Sequence, residues 1–489
     1  MNNSSLKKRL LSVAMAAVMV FSLLPATAWA AMAENLPAAS GQTRTEQKRG
    51  GSDTYTVTRG VKSVAAAQTG AVKKVVCLDL TTGEDQVSLD ANGGYQWVAG
   101  ENYLYLYKVQ IEAEGSNALI LPAGTTVKVV GKCSITGGGA NECAVWSKGD
   151  VTVGLGQDAT LTVNGLGWRA EGNLTVAHAY DAYTGGELTV NYNGTSSDNG
   201  TSGAAIYMGG NTLRVEQGAR VTANGSGIGN VKAKDSCGVK GAVYVDGGAE
   251  LVADGGSAGS AGTSYGIFGS VTVKNGTVTA TGGSGLQSYG VSGNSVSVSD
   301  GGVLNATGGT AVQDLNSGIK PISGGIYLGN NAVIENAAVN ASGGVAPCGD
   351  SFASVGLQMT SRSEVTVNSG GVLNANGGQL TNGSSANETN GFSAGINMMD
   401  AGEANLFVNG TGRVTAIGNP ERLDGGTVIS YGVNHTDMGE LTIELSGVAS
   451  FKAAGGTAAS RAAFTPDTVS IKGSEAYRDF DNVTDGYKF

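Results

Sequence analysis

The chain has 489 residues, of which 80 are glycine and only 7 proline, and it carries 30 Lys and Arg against 40 Asp and Glu. The glycines follow no G-X-Y period, which excludes collagen, and Val, Ile, Leu and Ala recur in step with them, which a solvated low-complexity chain has no reason to do. A net charge of −10 argues against nucleic acid as a partner, because that binding depends on neutralising phosphates.

Residues 1–30 read as a secretory signal peptide: Lys7, Lys8 and Arg9 form a basic start, an apolar run extends from Leu10 to Leu24, and Ala28-Trp29-Ala30 supplies the small-x-small cleavage pattern. The mature protein is therefore expected to begin near Ala31 and to be secreted, in association with a cell surface. No later apolar run approaches the roughly 20 residues that a membrane-spanning helix needs, so no transmembrane segment is expected in the mature chain. Residues 31–74 are polar, aperiodic and locally basic, and predict a disordered tether. Residues 75–114 alternate strongly, as in Tyr103-Leu104-Tyr105-Leu106-Tyr107, and suit an N-terminal β cap over an otherwise exposed sheet edge.

From residue 115 to 464 one unit recurs with drift. Its clearest piece is apolar, spacer, Ala, spacer, Gly, as in Val278-Thr279-Ala280-Thr281-Gly282-Gly283, Leu304-Asn305-Ala306-Thr307-Gly308-Gly309 and Val339-Asn340-Ala341-Ser342-Gly343-Gly344. Ala223, Ala253, Ala375, Ala416 and Ala453 mark further copies, at a spacing typical of solenoids. A second alternating piece precedes each, such as Val271-x-Val273, Val296-x-Val298 and Val365-x-Val367, and the two are separated by tight turns such as Asn275-Gly276 and Asp300-Gly301-Gly302. A third short strand leads in, opened by Gly or Ala, as in Gly266-Ile267, Gly290-Val291 and Gly356-Leu357. Each strand buries one side, so three strands per repeat predict a three-sided coil stacked on itself, with about ten or eleven coils in a rod roughly 50 Å long. Turn glycines are expected to supply positive φ. Residues 465–489 are more charged and aromatic, and are expected to form a C-terminal cap or tail.

This grammar resembles the right-handed parallel β-helix proteins of the pectin-lyase-like superfamily, and more closely the Gly- and Asn-rich β-helical surface proteins secreted by Gram-positive anaerobes. The resemblance implies an all-β fold, and it leaves function open, because that fold hosts lyases, hydrolases, fibres and adhesins.

Enzymatic chemistry finds little support. A glycoside hydrolase needs paired carboxylates across the scissile bond, and the Gly-His-Gly and Arg-x-Lys motifs of galacturonase-like relatives are absent. Asn434-His435-Thr436-Asp437 is a superficial echo of their signature, with His435 expected at a position that other coils fill with ordinary polar residues. Asp246, Asp254, Asp300, Asp400 and Asp424 sit mostly at turns, where Asp is favoured for backbone reasons. No cofactor is expected, and Ca²⁺ has no supporting motif. The five cysteines, Cys77, Cys133, Cys143, Cys237 and Cys348, are too few for a disulfide framework, although Cys133 and Cys143 flank a glycine turn and a clip between them stays open.

The signal that favours binding is aromatic. On the third strand the residue after the inward apolar one points outward, and Trp146, Tyr207, Phe268 and Tyr327 occupy that place. Tyr265, Tyr289 and Tyr431 precede the strand-opening glycine. The candidates for glycan contact are therefore Trp146, Tyr207, Phe268 and Tyr327, with packing of the rings against one another as the competing reading. Insertions at 226–240, 310–324, 345–355 and 379–394 should emerge at one corner, where binding proteins keep variable loops. The expected function is a secreted or surface-associated scaffold that binds a polysaccharide or cell-surface glycan. The alternatives are a polysaccharide lyase or glycoside hydrolase and a purely structural stalk.

Overall fold

The computed structural model describes residues 43–45, 56–58 and 73–481, apart from 140–141, 181–183, 194–202, 226–234, 259–261, 314–319, 348–352, 382–389, 399–401, 419–426, 436–439, 456–459, 465–468 and 474–477. The expected signal peptide, most of the tether, residues 226–234 of the first insertion and the central parts of the other three lie outside the described residues. Among the described residues there is no α-helix, and one 3₁₀ turn, Ala99–Glu101, interrupts the strands.

The chain is a parallel β-helix. One face is an unbroken sheet of 14 strands that begins at Lys73–Val76 and ends at Arg478–Asp481. At about 4.8 Å per strand that sheet is roughly 60 Å long. The other two faces merge into a 24-stranded sheet, because strands such as Gln287–Ser299 and Ile322–Glu335 run through the corner between them, with a shift of register at Gly293 and Ser295.

Parallel stacking passes both ends of the 115–464 segment. Lys73–Val76 pairs with Val109–Glu112, and Arg478–Asp481 pairs with Ser450–Ala454. Within 75–114 the chain also forms an antiparallel hairpin, Gln86–Asp90 with Gly93–Val98, which pairs on with Tyr103–Tyr107. That hairpin buries Tyr95 and Trp97 against the first apolar layers.

The interior is built of ladders. Ala223, Ala253, Ala280, Ala306, Ala341, Ala375, Ala416 and Ala453 stand in one register column, and all are fully buried. The strand-opening glycines explain why this column holds Ala. A Cβ placed on Gly266, Gly290, Gly325, Gly356 or Gly395 would lie 2.7–2.8 Å from the carbonyl oxygen of Ala253, Ala280, Ala306, Ala341 or Ala375 respectively. The two walls touch backbone to backbone there, so neither has room for a larger side chain.

Two kinds of corner use glycine for different reasons. At the tight turn, Asn275, Asp300 and Gly301 adopt φ of 42°, 55° and 83°, as the turn signals imply. At the Gly-Gly corner the demand is steric, and the expectation of positive φ does not hold. A Cβ on Gly309 would lie 2.0 Å from the Gly282 carbonyl oxygen, and one on Gly344 would lie 2.1 Å from that of Gly308.

A serine column locks that second corner. Ser236, Ser264, Ser288, Ser323, Ser354, Ser393 and Ser430 are in register and fully buried. Each central hydroxyl donates to a glycine carbonyl of its own coil and accepts from a glycine N–H of the next. Ser288 donates to Gly283 O at 2.8 Å and accepts from Gly309 N at 2.8 Å, and Ser323 repeats the pattern with Gly309 and Gly344 at 2.7 and 2.9 Å. Buried polar atoms are thereby satisfied at a corner that has no regular strand pairing.

Asparagine ladders decorate the outer faces. Asn340 donates to Asn305 at 2.8 Å and Asn374 to Asn340 at 2.9 Å. A fourth, four-stranded sheet (Ser284–Gly285, Thr310–Ala311, Val345–Pro347, Gln379–Thr381) stacks the residues that follow the Gly-Gly corners, so the described beginnings of three insertions do share one edge.

Candidate functional site

Trp146, Tyr207, Phe268 and Tyr327 fall in a single register column on the outside of one face. Read along the stack, the column runs Trp146, Arg169, Tyr207, Lys240, Phe268, Ser292, Tyr327, Gln358, Asn397, Asn434. The four rings therefore recur on every second coil, about 10 Å apart. Phe268 is exposed at 40 %, and the other three are half-buried.

The residues between the rings are what sequence reasoning missed. Arg169 and Lys240 take the alternate places, and both lie over ring faces. The Arg169 guanidinium carbon is 5.5 Å from the Trp146 centroid, and Lys240 Nζ is 5.9 Å from that of Tyr207 and 5.6 Å from that of Phe268. Lys148, just past the end of the strand that carries Trp146, also caps that indole. Parallel in-register stacking sets these side chains side by side on neighbouring coils, within the range of cation–π contact. Trp146 Nε1 donates to Glu171 Oε1 at 3.0 Å, and the same carboxylate lies 3.8 Å from Arg169.

Past Phe268 the character of the column changes. Tyr265, Tyr289, Tyr327 and Phe268 form one continuous aromatic group. Tyr265 lies 4.8 Å from Phe268 and stacks on Tyr289 at 6.2 Å, and Tyr289 meets Tyr327 edge-on at 5.6 Å. Tyr289 is buried in a second apolar cluster with Ile322, Ala353, Val355 and Ala394, outside the main core, and its hydroxyl is 3.2 Å from Gln358 Oε1. Burial pushes the Tyr265 phenol up to about 12 and that of Tyr289 higher still. Gln358, Asn397 and Asn434 are buried, and Asn434 donates to Asn397 Oδ1 at 2.7 Å. Packing thus accounts for Tyr289, Tyr327 and the last members of the column, while Trp146 to Phe268 keep an open outer side.

His435 does not occupy an outward polar position. It continues the column of Leu328, Met359 and Met398, whose side chains belong to the main core, and it is 1 % exposed. Asp437 lies outside the described residues, as do Asp400 and Asp424. Cys133 and Cys143 are both free. Cys133 Sγ faces the Val130 carbonyl at 3.8 Å, and Cys143 Sγ is 3.3 Å from Asn117 Oδ1. Burial pushes the Cys143 thiol up to about 11 and that of Cys237 up to about 12, so neither is poised as a nucleophile. Among the described residues no group of three His, Cys, Asp or Glu side chains is placed to hold a metal ion, and no helix is long and apolar enough to cross a membrane. No family model matches the chain, and neither does any curated protein or solved structure.

Proposed function

We propose that the protein is a secreted, surface-associated β-helical scaffold of the pectin-lyase type that binds a linear carbohydrate along its outer aromatic column, and that it is not an enzyme. The observation that carries this reading is the register itself: Trp146, Tyr207 and Phe268 stand at equal intervals in one file with open outer sides. Equal steps suit a polymer with a repeat, and rings with polar neighbours meet sugars without large desolvation costs. Each contact is weak, and several on one rod multiply through effective concentration. Secretion rests on the basic start, apolar run and Ala-x-Ala pattern of residues 1–30.

The experiment is retention of the purified mature chain on a panel of plant, mucin and cell-wall polysaccharides. Tyr207→Ala and Phe268→Ala together should weaken retention more than either alone. Because Phe268 also packs on Tyr265, melting of each variant is measured alongside. Parent protein that binds nothing on the panel, or a double variant that binds as well as the parent, overturns the proposal. A second reading, a structural stalk, is favoured by the packing of Tyr265, Tyr289, Phe268 and Tyr327 into one group, and would then take its place.

A further inference from the structure

The faces of Trp146, Tyr207 and Phe268 are turned toward cations on or beside their column, so a sugar approaching from outside meets ring edges and cationic heads more than open ring faces. Ring edges carry the positive side of the aromatic quadrupole. The outer strip from Trp146 to Phe268 thus combines positive edges with Lys148, Arg169 and Lys240, while the Glu171 carboxylate, bonded to the indole and 3.8 Å from Arg169, offsets part of that charge. The Arg169 side chain is 41 % exposed, which leaves its guanidinium within reach of a ligand. The whole chain carries −10, so this strip stands out against an acidic background, and a polyanion is repelled elsewhere while it is attracted here.

From this arrangement we infer that the ligand is a linear glycan with an anionic group on each disaccharide repeat. The inference rests on the carbohydrate reading above and specifies its class. The two cations within the file, Arg169 and Lys240, are two coils apart, which is about 10 Å. In an extended glycan that distance corresponds to a disaccharide, so one charge per disaccharide places successive anions opposite successive cations. A guanidinium receives a carboxylate or a sulfate with two parallel hydrogen bonds, and the lysine ammonium supplies a point charge. The neutral members beyond Phe268, from Ser292 to Asn434, confine the charged contact to the N-terminal half of the rod.

The test measures affinity of the mature chain for chondroitin sulfate, hyaluronan, a neutral β-glucan and oligothymidylate, each at low and raised salt. Chondroitin sulfate is expected to bind, with affinity falling as salt rises. If hyaluronan binds too, a carboxylate suffices, and if it does not, the sulfate is the recognised group; both outcomes support the inference. Replacing Arg169→Gln and Lys240→Gln together should cost on the order of tenfold in affinity and flatten the salt dependence, because fewer counterions are released. Lys240→Arg should retain binding, and the melting of all variants should match the parent, since these side chains lie outside the core. Equal, salt-independent binding of the neutral glucan overturns the anionic class and leaves the carbohydrate reading intact. Failure of all three glycans overturns both, as does tighter binding of oligothymidylate than of any glycan.

Discussion

Ser323→Ala tests whether the serine column holds the Gly-Gly corner closed. The Ser323 hydroxyl donates to Gly309 O at 2.7 Å and accepts from Gly344 N at 2.9 Å, and the residue is fully buried. The two partners do not suffer equally when it is removed. Gly309 O also accepts the Val345 N–H at 2.9 Å and so keeps a bond, whereas Ser323 is the acceptor that the Gly344 N–H loses. Gly344 is half-buried, and an orphaned donor costs about 1–3 kcal/mol with the upper figure for full burial, which bounds the expected destabilisation. Because each coil of a solenoid contacts mainly its neighbours, the effect should be local as well as global. Hydrogen exchange at Gly344 should therefore accelerate roughly five- to 150-fold, the same free energy read as an opening equilibrium. Chemical denaturation of the mature chain should show a matching loss, while Ser297→Ala, on an outer surface, should stay within about 0.5 kcal/mol of the parent. Unchanged exchange at Gly344 together with an unchanged denaturation midpoint would refute the account of the corner.

The other expectations concern the core and the buried phenols. Ala306→Leu inserts three carbons where the Gly325 backbone already touches the Ala306 carbonyl, so it should destabilise by about 1–3 kcal/mol in denaturant titration, and a variant as stable as the parent would contradict the inward placement of this column. Tyr265, held at about 12 by burial, and Tyr289, held higher, bind their phenolic protons more tightly in the fold than in the unfolded chain, where a tyrosine titrates near pH 10. Their contribution to stability is thus complete below about pH 10 and is lost as pH rises through the folded value. Phenolate absorbance should show a late-ionising component that Tyr265→Phe reduces, and a single transition near pH 10 with the fold intact would count against burial of these rings.

Much of the fold was legible because in-register stacking copies a sequence position into a spatial column. The recurrence of Ala280, Ala306 and Ala341 behind a Val or Leu was enough to place them inside, and the outward step after Ile267 or Ile326 was enough to put Phe268 and Tyr327 on one line. The Ser-x-Gly signal was also present, as Ser264-Tyr265-Gly266, Ser288-Tyr289-Gly290 and Ser354-Val355-Gly356. It went unread because a polar residue beside glycine looks like loop composition until its hydroxyl is seen bridging two coils. Arg169 and Lys240 were hidden for a different reason. Insertions of unequal length separate the coils, so the alternation of ring and cation has no fixed period in the chain and emerges only once the register is known. His435 misled because apolar and polar steps alternate along a strand, and a slip of one position moves a side chain to the other wall.

The same register constrains what the outer column can do. A ring on every coil would stack into a continuous apolar file, closed to solvent except at its rim, as Tyr265 and Tyr289 begin to do on adjacent coils. Interleaving with Arg169 and Lys240 prevents that closure, since a solvated cation between two rings keeps its head toward water while its stem covers the ring faces. Alternation therefore blunts an aromatic surface that would otherwise promote association of copies, and on the reading proposed above it also offers a ligand two positive charges about 10 Å apart. Where the cations stop, Phe268 packs on Tyr265 while staying exposed, Tyr327 packs on Tyr289, and the column is finished with buried amides. The boundary between the cation-interleaved strip and the packed wall is thus set by the charge of alternate residues on a backbone that does not change.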